Sequence, residues 1–513
     1  MQRPQNSSNM PFFYDITLRD GNQSLKKPWN LKEKLIVFEN IVNLGINAVE
    51  IGFPASSQAD FEACRILADK ADDKTTVSVL ARAHKGDIDK ALLALEHAKK
   101  PRIHTFITLS PFHMENVLNK KPEVVAQSAI DAVEYTAFNL FKLNKNADIE
   151  FSVEHFGDCY DNLDFVIEVL KEIENKGATT INLPNTVERY RPRRILDMIK
   201  KVKNALKSTT TISVHNHNDL GMATATTVEA YFEGARQLEC CLNGLGERTG
   251  NTDFYQVAVA LYNSGVDVNI NLSKIYETAL TISAMSHVKI YEKAPLIGSE
   301  ALAHRSGIHQ DGAIKTKLME FGAYRPINPV LIGRFDDEKI GFTSQSGKTA
   351  IYDIINALKY PITIQESIYL TSFAKQKAQD KGELSPDEIL KLYFDKICNI
   401  EGDFELISFK PIEKGIFDLF FNYKGERKEV IGEGNGPIDA CLNGLKKCGY
   451  ELRLSHYKQY SLDGDTHGSS ARAMSAISVY DKDNNEIIGR AIHTSVVQAN
   501  VMAIFNALNQ IYK

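Results

Sequence analysis

Two histidines, in the stretch His215-Asn216-His217, are the side chains of this sequence best suited to chemistry. On a β-strand both imidazoles point to the same face, because residues two positions apart share a face. Two such imidazoles together with oxygen ligands suit a divalent cation that keeps open positions for a substrate. Taken alone, the pattern is more often a pair of structural histidines, so a metal site requires further ligands nearby.

Two other segments carry groups that complete such a site. Asp20 follows Arg19 in RDGNQ (19–23), and Asn251 ends GERTGN (246–251). The guanidinium of Arg19 stays charged at working pH, so it is a candidate to stabilise a developing negative charge. The predicted metal ligands are Asp20, His215, His217 and Asn251.

The elements that must position these residues follow from the hydrophobic pattern. Short β-branched or aromatic runs alternate with helical patterns over roughly the first 270 residues. The predicted strands are 12–18, 46–53, 75–81, 102–109, 148–154, 179–184, 211–217 and 237–245. Eight strand–helix units in about 260 residues are typical of an α/β protein with a (β/α)₈ TIM barrel. The rival is an open doubly wound sheet, but its glycine-rich first turn is missing here.

Closure of such a barrel places the seventh and eighth strands next to the first. The predicted ligands then meet at the C-terminal ends of the strands, where barrel enzymes have their active sites. The sequence therefore predicts a metal-dependent active site at that end of the barrel.

After residue 270 the alternation stops, and two further regions are predicted. Residues 271–387 look mainly helical, and the polar stretch 376–387 is interpreted as a linker. Residues 388–513 contain two similar pieces, each with strands, a glycine-marked turn and a helix, which favours a small, pseudo-duplicated α+β domain. The expected domains are 1–270, 271–387 and 388–513.

The composition is that of an ordinary soluble globular chain, with 43% hydrophobic and 24% charged residues. A formal net charge of −5 gives no reason to expect nucleic acid as a partner. The polar first residues and the lack of long apolar runs predict neither a signal peptide nor a membrane span. The seven cysteines form no C-x-x-C pair, which indicates reduced thiols and a cytoplasmic protein.

Taken together, these motifs resemble the DRE-TIM metallolyase superfamily, and within it the 2-isopropylmalate synthase family. The resemblance rests on D-x-T-L-R-D-G-x-Q (15–23), H-N-H-N-D-L-G (215–221), G-E-R-T-G-N (246–251), HRSGIHQDG (304–312) and GEGNGPIDA (432–440). It extends over nearly the whole chain. It implies metal-dependent condensation of acetyl-CoA with 3-methyl-2-oxobutanoate, and a C-terminal regulatory domain of the leucine-binding type that forms a homodimer.

The resemblance also implies roles for individual residues. Arg19 is the electrostatic catalyst, Glu154 is a candidate base or orienting group, and His309 and Tyr324 assist proton transfer or hydrolysis. The implied substrate-binding residues are Gln23, Leu80, His104, Asn182, Pro184 and Thr186. The implied cofactor is Mg²⁺ or Mn²⁺, with Zn²⁺ as a further candidate, and leucine is the implied feedback inhibitor.

Three alternatives stay open at this point. A citramalate synthase would use pyruvate on the same scaffold. A homocitrate synthase is less favoured, partly because its relatives usually have glutamate in place of Asp20. A catalytically silent amino-acid sensor would use only 388–513, but a sensor would not need the metal ligands of the barrel.

Overall fold

The structure is a computed structural model that describes residues 10–144, 146–319, 321–335, 341–462 and 471–512. Within these residues eight parallel strands close into a barrel in chain order, which confirms the predicted barrel and excludes the open sheet. The barrel strands are β1 (Phe12–Asp15), β2 (Ala48–Glu50), β3 (Thr76–Arg82), β4 (Pro101–Thr108), β5 (Asp148–Glu154), β6 (Thr180–Asn185), β7 (Thr211–Asn216) and β8 (Gln237–Cys240).

Helices follow the strands of the barrel. They are α1 (Leu31–Asn43), α2 (Gln58–Lys70), α3 (Lys85–Ala94), α4 (Pro111–Asn116), α5 (Pro122–Leu143), α6 (Leu163–Asn175), α7 (Pro192–Ala205), α8 (Ala223–Glu233), α9 (Phe254–Asn263) and α10 (Ile275–Ser286). The start of α1 is fixed locally, because Asn30 and Glu33 form a reciprocal capping box. In the described part of the chain, no helix combines the length and apolar character needed to cross a membrane.

The first strand is shorter than predicted, and the difference affects the site. β1 ends at Asp15, not at residue 18, and Thr17–Gly21 forms one turn of π-helix. The Asp15 carboxylate accepts hydrogen bonds from the Thr17 amide and hydroxyl, both at 2.9 Å. Such local side-chain bonds compete with the strand ladder and turn the chain. The turn carries Arg19 and Asp20.

Contacts divide the chain into two compact units. One comprises Met1–Leu302 and Leu318–Asp337, and it contains the barrel. The other comprises Ala303–Lys317 and Glu338–Lys513. The division into three domains stays a prediction. All seven cysteines are free thiols, in agreement with the expected reduced state.

The second unit begins with four helices, and one expectation fails there. They are α11 (Gly307–Lys315), α12 (Lys348–Ala357), α13 (Ile364–Lys381) and α14 (Pro386–Ile397). The segment 376–387 is not a linker, because it contains the last turn of α13 and the start of α14. Its polar residues lie mostly on exposed positions, while Ala378 and Leu384 are buried in a hydrophobic cluster. Most polar residues of the segment lie on the exposed faces of α13 and α14, which a short connection at 382–385 joins.

The C-terminal part contains the predicted duplication. Each repeat has a three-stranded antiparallel sheet followed by a helix. The first repeat is β9 (Phe404–Glu413), β10 (Ile416–Tyr423), β11 (Glu426–Glu433) and α15 (Pro437–Lys447); the second is β12 (Arg453–Ser461), β13 (Ala473–Tyr480), β14 (Glu486–His493) and α16 (Val496–Ile511). One hydrophobic cluster contains residues of both repeats.

A glycine at the same place in each repeat lets the helix approach its sheet. A β-carbon at Gly432 would overlap the carbonyl oxygen of Ala440 in α15, and one at Gly489 would overlap that of Ala503 in α16. Because both neighbours are helix backbone, neither can move aside without shifting the helix. The close approach of helix to sheet therefore depends on these two glycines.

We expect Gly489→Ala to destabilise this region by about 1–3 kcal/mol, because an added methyl group in a close-packed contact forces backbone shifts. Differential scanning calorimetry of the full chain measures the change as a lower transition temperature. Gly436→Ala is the control, since a β-carbon there meets nothing within 4 Å. Equal transition temperatures for the two variants would contradict the packing role of Gly489.

Candidate active site

A cavity of about 320 Å³ opens at the C-terminal ends of the barrel strands. Its lining contains most of the predicted site residues, namely Arg19, Asp20, Gln23, Leu80, His104, Glu154, Asn182, Pro184, Thr186, His215 and His217. It also contains Phe53, Phe106, Ser152, Glu247 and Arg248, which the sequence analysis did not select. Residues from both ends of the barrel sequence thus share one cavity.

Three of the predicted metal ligands form a cluster in the lining of the cavity. Asp20 Oδ2 lies 3.5 Å from His215 Nε2 and 3.7 Å from His217 Nε2. One donor atom from each of these three residues lies within 4.8 Å of the other two. All three residues are buried, so water competes little for their donor atoms. This is the spacing that one cation could bridge.

A carboxylate in contact with Nδ1 of His215 sets the orientation of this imidazole. Glu239, on the neighbouring strand β8, pairs with His215 in register, and its Oε2 lies 2.9 Å from His215 Nδ1. A proton on Nδ1 in this contact leaves the lone pair on Nε2, the atom that faces Asp20. Glu239 therefore orients the imidazole of a predicted metal ligand and is not itself one of the predicted ligands.

Burial also gives these ligands the protonation states that a cation needs. Desolvation lowers the pKa of His215 to about 4 and that of His217 to about 3. Burial by itself would raise the pKa of Asp20, but the charges of Arg19, His215 and His217 outweigh it and lower that pKa. Two neutral imidazoles and one carboxylate are thus present near neutral pH.

Unpaired polar atoms around the cluster fit a bound cation. Among the described residues, Asp20 Oδ1, His217 Nδ1 and Asn251 Oδ1 are buried without a hydrogen-bond partner. A buried acceptor without a partner costs about 1–3 kcal/mol, which a ligand can recover. Asn251 does not line the cavity, yet its backbone bridges to His217, and its Nδ2 donates to Leu245 O at 3.1 Å.

Arg19 is held at the cavity wall by two carboxylates. Its Nε donates to Glu50 Oε2, and its Nη1 lies 3.2 Å from Asp20 Oδ2. Glu50 is also in contact with His104, whose Nδ1 lies 2.7 Å from Glu50 Oε1. Burial opposes ionisation of Glu50, but Arg19 and His104 outweigh it and lower its pKa to about 2. A fixed guanidinium therefore faces the cavity beside the predicted metal ligands.

Other polar side chains continue around the cavity. His104 Nε2 lies 2.6 Å from Ser152 Oγ, which also accepts a bond from Asn182 Nδ2 at 2.8 Å. Thr186 Oγ1 accepts from the His155 amide at 2.9 Å, so its own hydroxyl proton is left for another acceptor. These contacts fix the directions of groups that a substrate carboxylate could meet.

The remaining predicted residues differ in position. Glu154 ends β5 in the cavity wall, and burial raises its pKa. Tyr324 is 40% exposed and belongs to the first unit, whereas His309 lies on α11 in the second. Neither Tyr324 nor His309 is among the residues that line the cavity, and their roles stay predictions.

Sequence reasoning missed the carboxylates behind the site and part of its apolar wall. Glu50 and Glu239 are buried in strands whose neighbours are apolar. An acidic residue at an inward position of a barrel strand was the signal that could have revealed them. Phe53 and Phe106 carried no such signal, because aromatic residues in strands or just after them are ordinary.

Similarity to known proteins extends over nearly the whole chain. A family model described as HMGL-like matches residues 11–282, one described as alpha-isopropylmalate synthase, post-catalytic domain-like, matches 300–356, and the LeuA allosteric (dimerisation) domain matches 384–512. The 2-isopropylmalate synthase 2 of Leptospira interrogans is 49% identical over 74% of this chain and 89% of its own length. The 2-isopropylmalate synthases of Dictyoglomus turgidum (32% identical, 98% of both chains) and Pyrococcus furiosus (33% identical, 97% of this chain and 98% of the relative) match almost end to end.

We expect His217→Ala to weaken Mn²⁺ binding at least about tenfold, because it removes one of three clustered donors. Calorimetric titration of the chelator-treated full chain measures the dissociation constant. His97→Ala, at an exposed position on the surface, is the control and should bind Mn²⁺ like the unaltered chain. Unchanged Mn²⁺ affinity in His217→Ala would remove this histidine from the site.

Proposed function

Because the chain belongs to the 2-isopropylmalate synthase family, we propose that it condenses acetyl-CoA with 3-methyl-2-oxobutanoate to give 2-isopropylmalate and CoA. The observation that carries the proposal is the cavity of about 320 Å³, which combines the Asp20, His215 and His217 cluster with an apolar wall. One part suits the 2-oxo carboxylate, and the other suits a branched alkyl group.

The HMGL-like domain is that of a divalent-metal-dependent, acyl-CoA-using family. In this chain Asp20, His215, His217 and Asn251 would hold the cation, which is Mg²⁺ or Mn²⁺, with Zn²⁺ as a further candidate. When bound, it supplies a Lewis acid for the ketone oxygen of the 2-oxo acid. The neutral imidazoles and the ionised Asp20 fit this use.

The remaining chemistry falls to the side chains around the cluster. The acetyl methyl group is a weak acid, so a base must take its proton while a positive group stabilises the enolate. Glu154 is the candidate base, since its raised pKa brings it closer to the working pH. Arg19 is the stabilising charge, because Glu50 and Asp20 hold its guanidinium in one direction.

The new carbon–carbon bond joins the acetyl methyl carbon to the ketone carbon of the acceptor. Water then cleaves the thioester, releasing CoA and the carboxylate of the product. His309 and Tyr324 assist proton transfer in this second stage. Thr186 and Asn182 bind the acceptor, with the free hydroxyl proton of Thr186 directed to its carboxylate.

The apolar side of the cavity accounts for the choice of acceptor. Phe53, Leu80 and Phe106 line it together with Pro184. An isopropyl group has two more carbons than the methyl group of pyruvate, and each buried carbon adds apolar contact. The wall therefore favours the larger 2-oxo acid.

We expect kcat/KM for 3-methyl-2-oxobutanoate to exceed that for pyruvate at least about tenfold, roughly 1.4 kcal/mol of transition-state binding. A thiol-release assay with acetyl-CoA measures both values. Leu80→Ala should reduce this ratio, because it removes contacts that only the larger acceptor makes. Leu93→Ala, at an exposed position of α3, should leave the ratio unchanged. A preference for pyruvate in the unaltered chain would instead make the enzyme a citramalate synthase.

The matched C-terminal domain is a dimerisation and allosteric domain, so the chain carries a part suited to pairing of subunits and to regulation by a small molecule. Leucine is the regulator that we assign to it, and a homodimer is the assembly. Inhibition requires that leucine bind one state of the protein better than another.

A route for this coupling exists within the second unit. Arg490 of β14 is buried and forms an ion pair with Glu366, which also caps α13. Met474 and Ile492 of the same sheet pack into the hydrophobic cluster of the helices α12 to α14. Helix α11, which carries His309, packs on α12. A shift of this sheet would therefore act on the helices that precede it.

We expect saturating leucine to lower turnover of the full chain at least about fivefold, the lower range of common allosteric couplings. Glu366→Gln should weaken this inhibition while leucine still binds in calorimetric titration, because the link to Arg490 is lost. Glu388→Gln is the matched control, since Glu388 caps α14 in the same way but pairs with Lys381. Absence of both leucine binding and inhibition in the unaltered chain would refute the regulatory assignment.

A further inference from the structure

A second cluster of metal-ligating side chains lies outside the lining of the catalytic cavity. His113 belongs to α4, which follows β4, and His155 and Asp158 lie in the turn after β5. One donor atom from each of the three lies within 4.8 Å of the others. We propose that His113, His155 and Asp158 form a second binding site for a divalent transition metal of the Zn²⁺ class.

The donor set has the chemistry of a zinc site. Two imidazoles and one carboxylate are common ligands of Zn²⁺, and a fourth position is commonly filled by water. His155 Nδ1 lies 3.2 Å from Asp158 Oδ2, and the two imidazole rings stack with centroids 3.6 Å apart. An imidazole binds a metal in the plane of its ring, so one of the two stacked rings must rotate before both lone pairs can meet at one ion beside Asp158. No donor of this set is shared with the catalytic cluster.

The hydrogen bonds of the cluster leave suitable lone pairs. His113 Nδ1 lies 3.1 Å from Ser110 Oγ, and a proton on Nδ1 in this contact puts the lone pair on Nε2.

A positive group, the guanidinium of Arg189, faces the cluster. Arg189 Nε lies 3.9 Å from Asp158 Oδ1, at the limit of an ion pair, and its side chain is 52% exposed. A contact of this length on an exposed side chain contributes little energy. Arg189 can therefore turn into solvent when a cation binds Asp158.

The backbone of His155 adopts an uncommon conformation, which sets the direction of its imidazole ring. Its φ of 59° and ψ of 34° lie in the left-handed region, which non-glycine residues seldom adopt. The conformation is held by the Asp158 amide, which donates to His155 O at 2.9 Å, and by the His155 amide bond to Thr186. Such local strain is concentrated at functional sites.

This turn links the second site to the cavity. His155 directly follows Glu154 in sequence, and its backbone amide donates a hydrogen bond to the hydroxyl oxygen of Thr186. Glu154 and Thr186 both line the cavity. An ion bound by His113, His155 and Asp158 would restrict the motion of the turn after β5, which carries His155 and Asp158. The second metal would thus act as a structural support and not as a participant in the reaction.

Zinc stoichiometry of the full chain tests the proposal, independently of turnover. The chelator-treated protein is dialysed against buffered micromolar free Zn²⁺, and zinc per chain is measured by mass spectrometry. We expect two zinc ions in the unaltered chain and one in each of His113→Gln, Asp158→Asn and His217→Ala. The double variant His113→Gln with His217→Ala should bind none. Anomalous scattering at the zinc edge of crystals should place one ion between His113 and Asp158.

Asp161→Asn is the matched control, because it makes the same change of charge at an exposed position three residues away. It should bind two zinc ions. Circular dichroism checks that each variant is folded, and Asp158→Asn keeps the shape of the original side chain. The proposal is overturned if His113→Gln and Asp158→Asn each bind as much zinc as the unaltered chain. A loss confined to His113→Gln and Asp158→Asn, with none in His217→Ala, would support it while contradicting the catalytic cluster.

Discussion

The hydrogen-bonded seam between β1 and β8 closes the barrel, and the catalytic geometry depends on it. The two strands pair in parallel from Phe12 to Asp15, and Thr17 Oγ1 then accepts from the Leu242 amide at 2.8 Å. In an open sheet the first and last strands could lie far apart. Closure brings Asp20, which follows β1, against His215 on β7, a contact between residues almost 200 positions apart.

A second constraint is that this barrel interior contains several carboxylates. Glu50, Glu150 and Glu239 are all buried, and burial of an unpaired charge is costly. At Glu50 this cost is offset by pairing with Arg19 and His104, which lowers the pKa of the carboxyl group. At Glu150 and Glu239 burial instead raises the pKa. The result is a rigid polar layer beneath the cavity. Side chains held in this way need little reorganisation when charge develops in a reaction.

In the C-terminal repeats, close contacts likewise fix the position of each helix on its sheet and of the second sheet on α13. Each sheet is in close contact with its helix at a glycine, and the second sheet is connected to α13 by the ion pair of the buried Arg490 with the half-buried Glu366. A buried pair is weak evidence for stability but strongly resists the loss of one partner. Such a pair therefore suits a contact through which a shift of β14 is passed to α13.

Much of the barrel could be predicted from sequence because its signals are local. Strand periodicity, the capping box at Asn30 and the duplication of the C-terminal domain all depend on residues close in the chain. The pair His215 and His217 was predictable for the same reason, since an extended chain puts both on one face, although β7 itself ends at Asn216. The family motifs added Leu80, His104 and Thr186, which line the cavity.

Only the tertiary structure determined which side chains form hydrogen bonds with these residues. Glu239 behind His215 and Glu50 behind Arg19 come from strands whose neighbours in space are distant in sequence. The predicted linker at 376–387 is largely helical, with a short connection at 382–385, because its few apolar residues are buried by the other helices, which composition cannot reveal. The stacked pair of His113 and His155 arises only because β4 and β5 are adjacent in the barrel. Sequence determined the donors and the elements that carry them; long-range packing decided which donors face one another, because that depends on strand order and register.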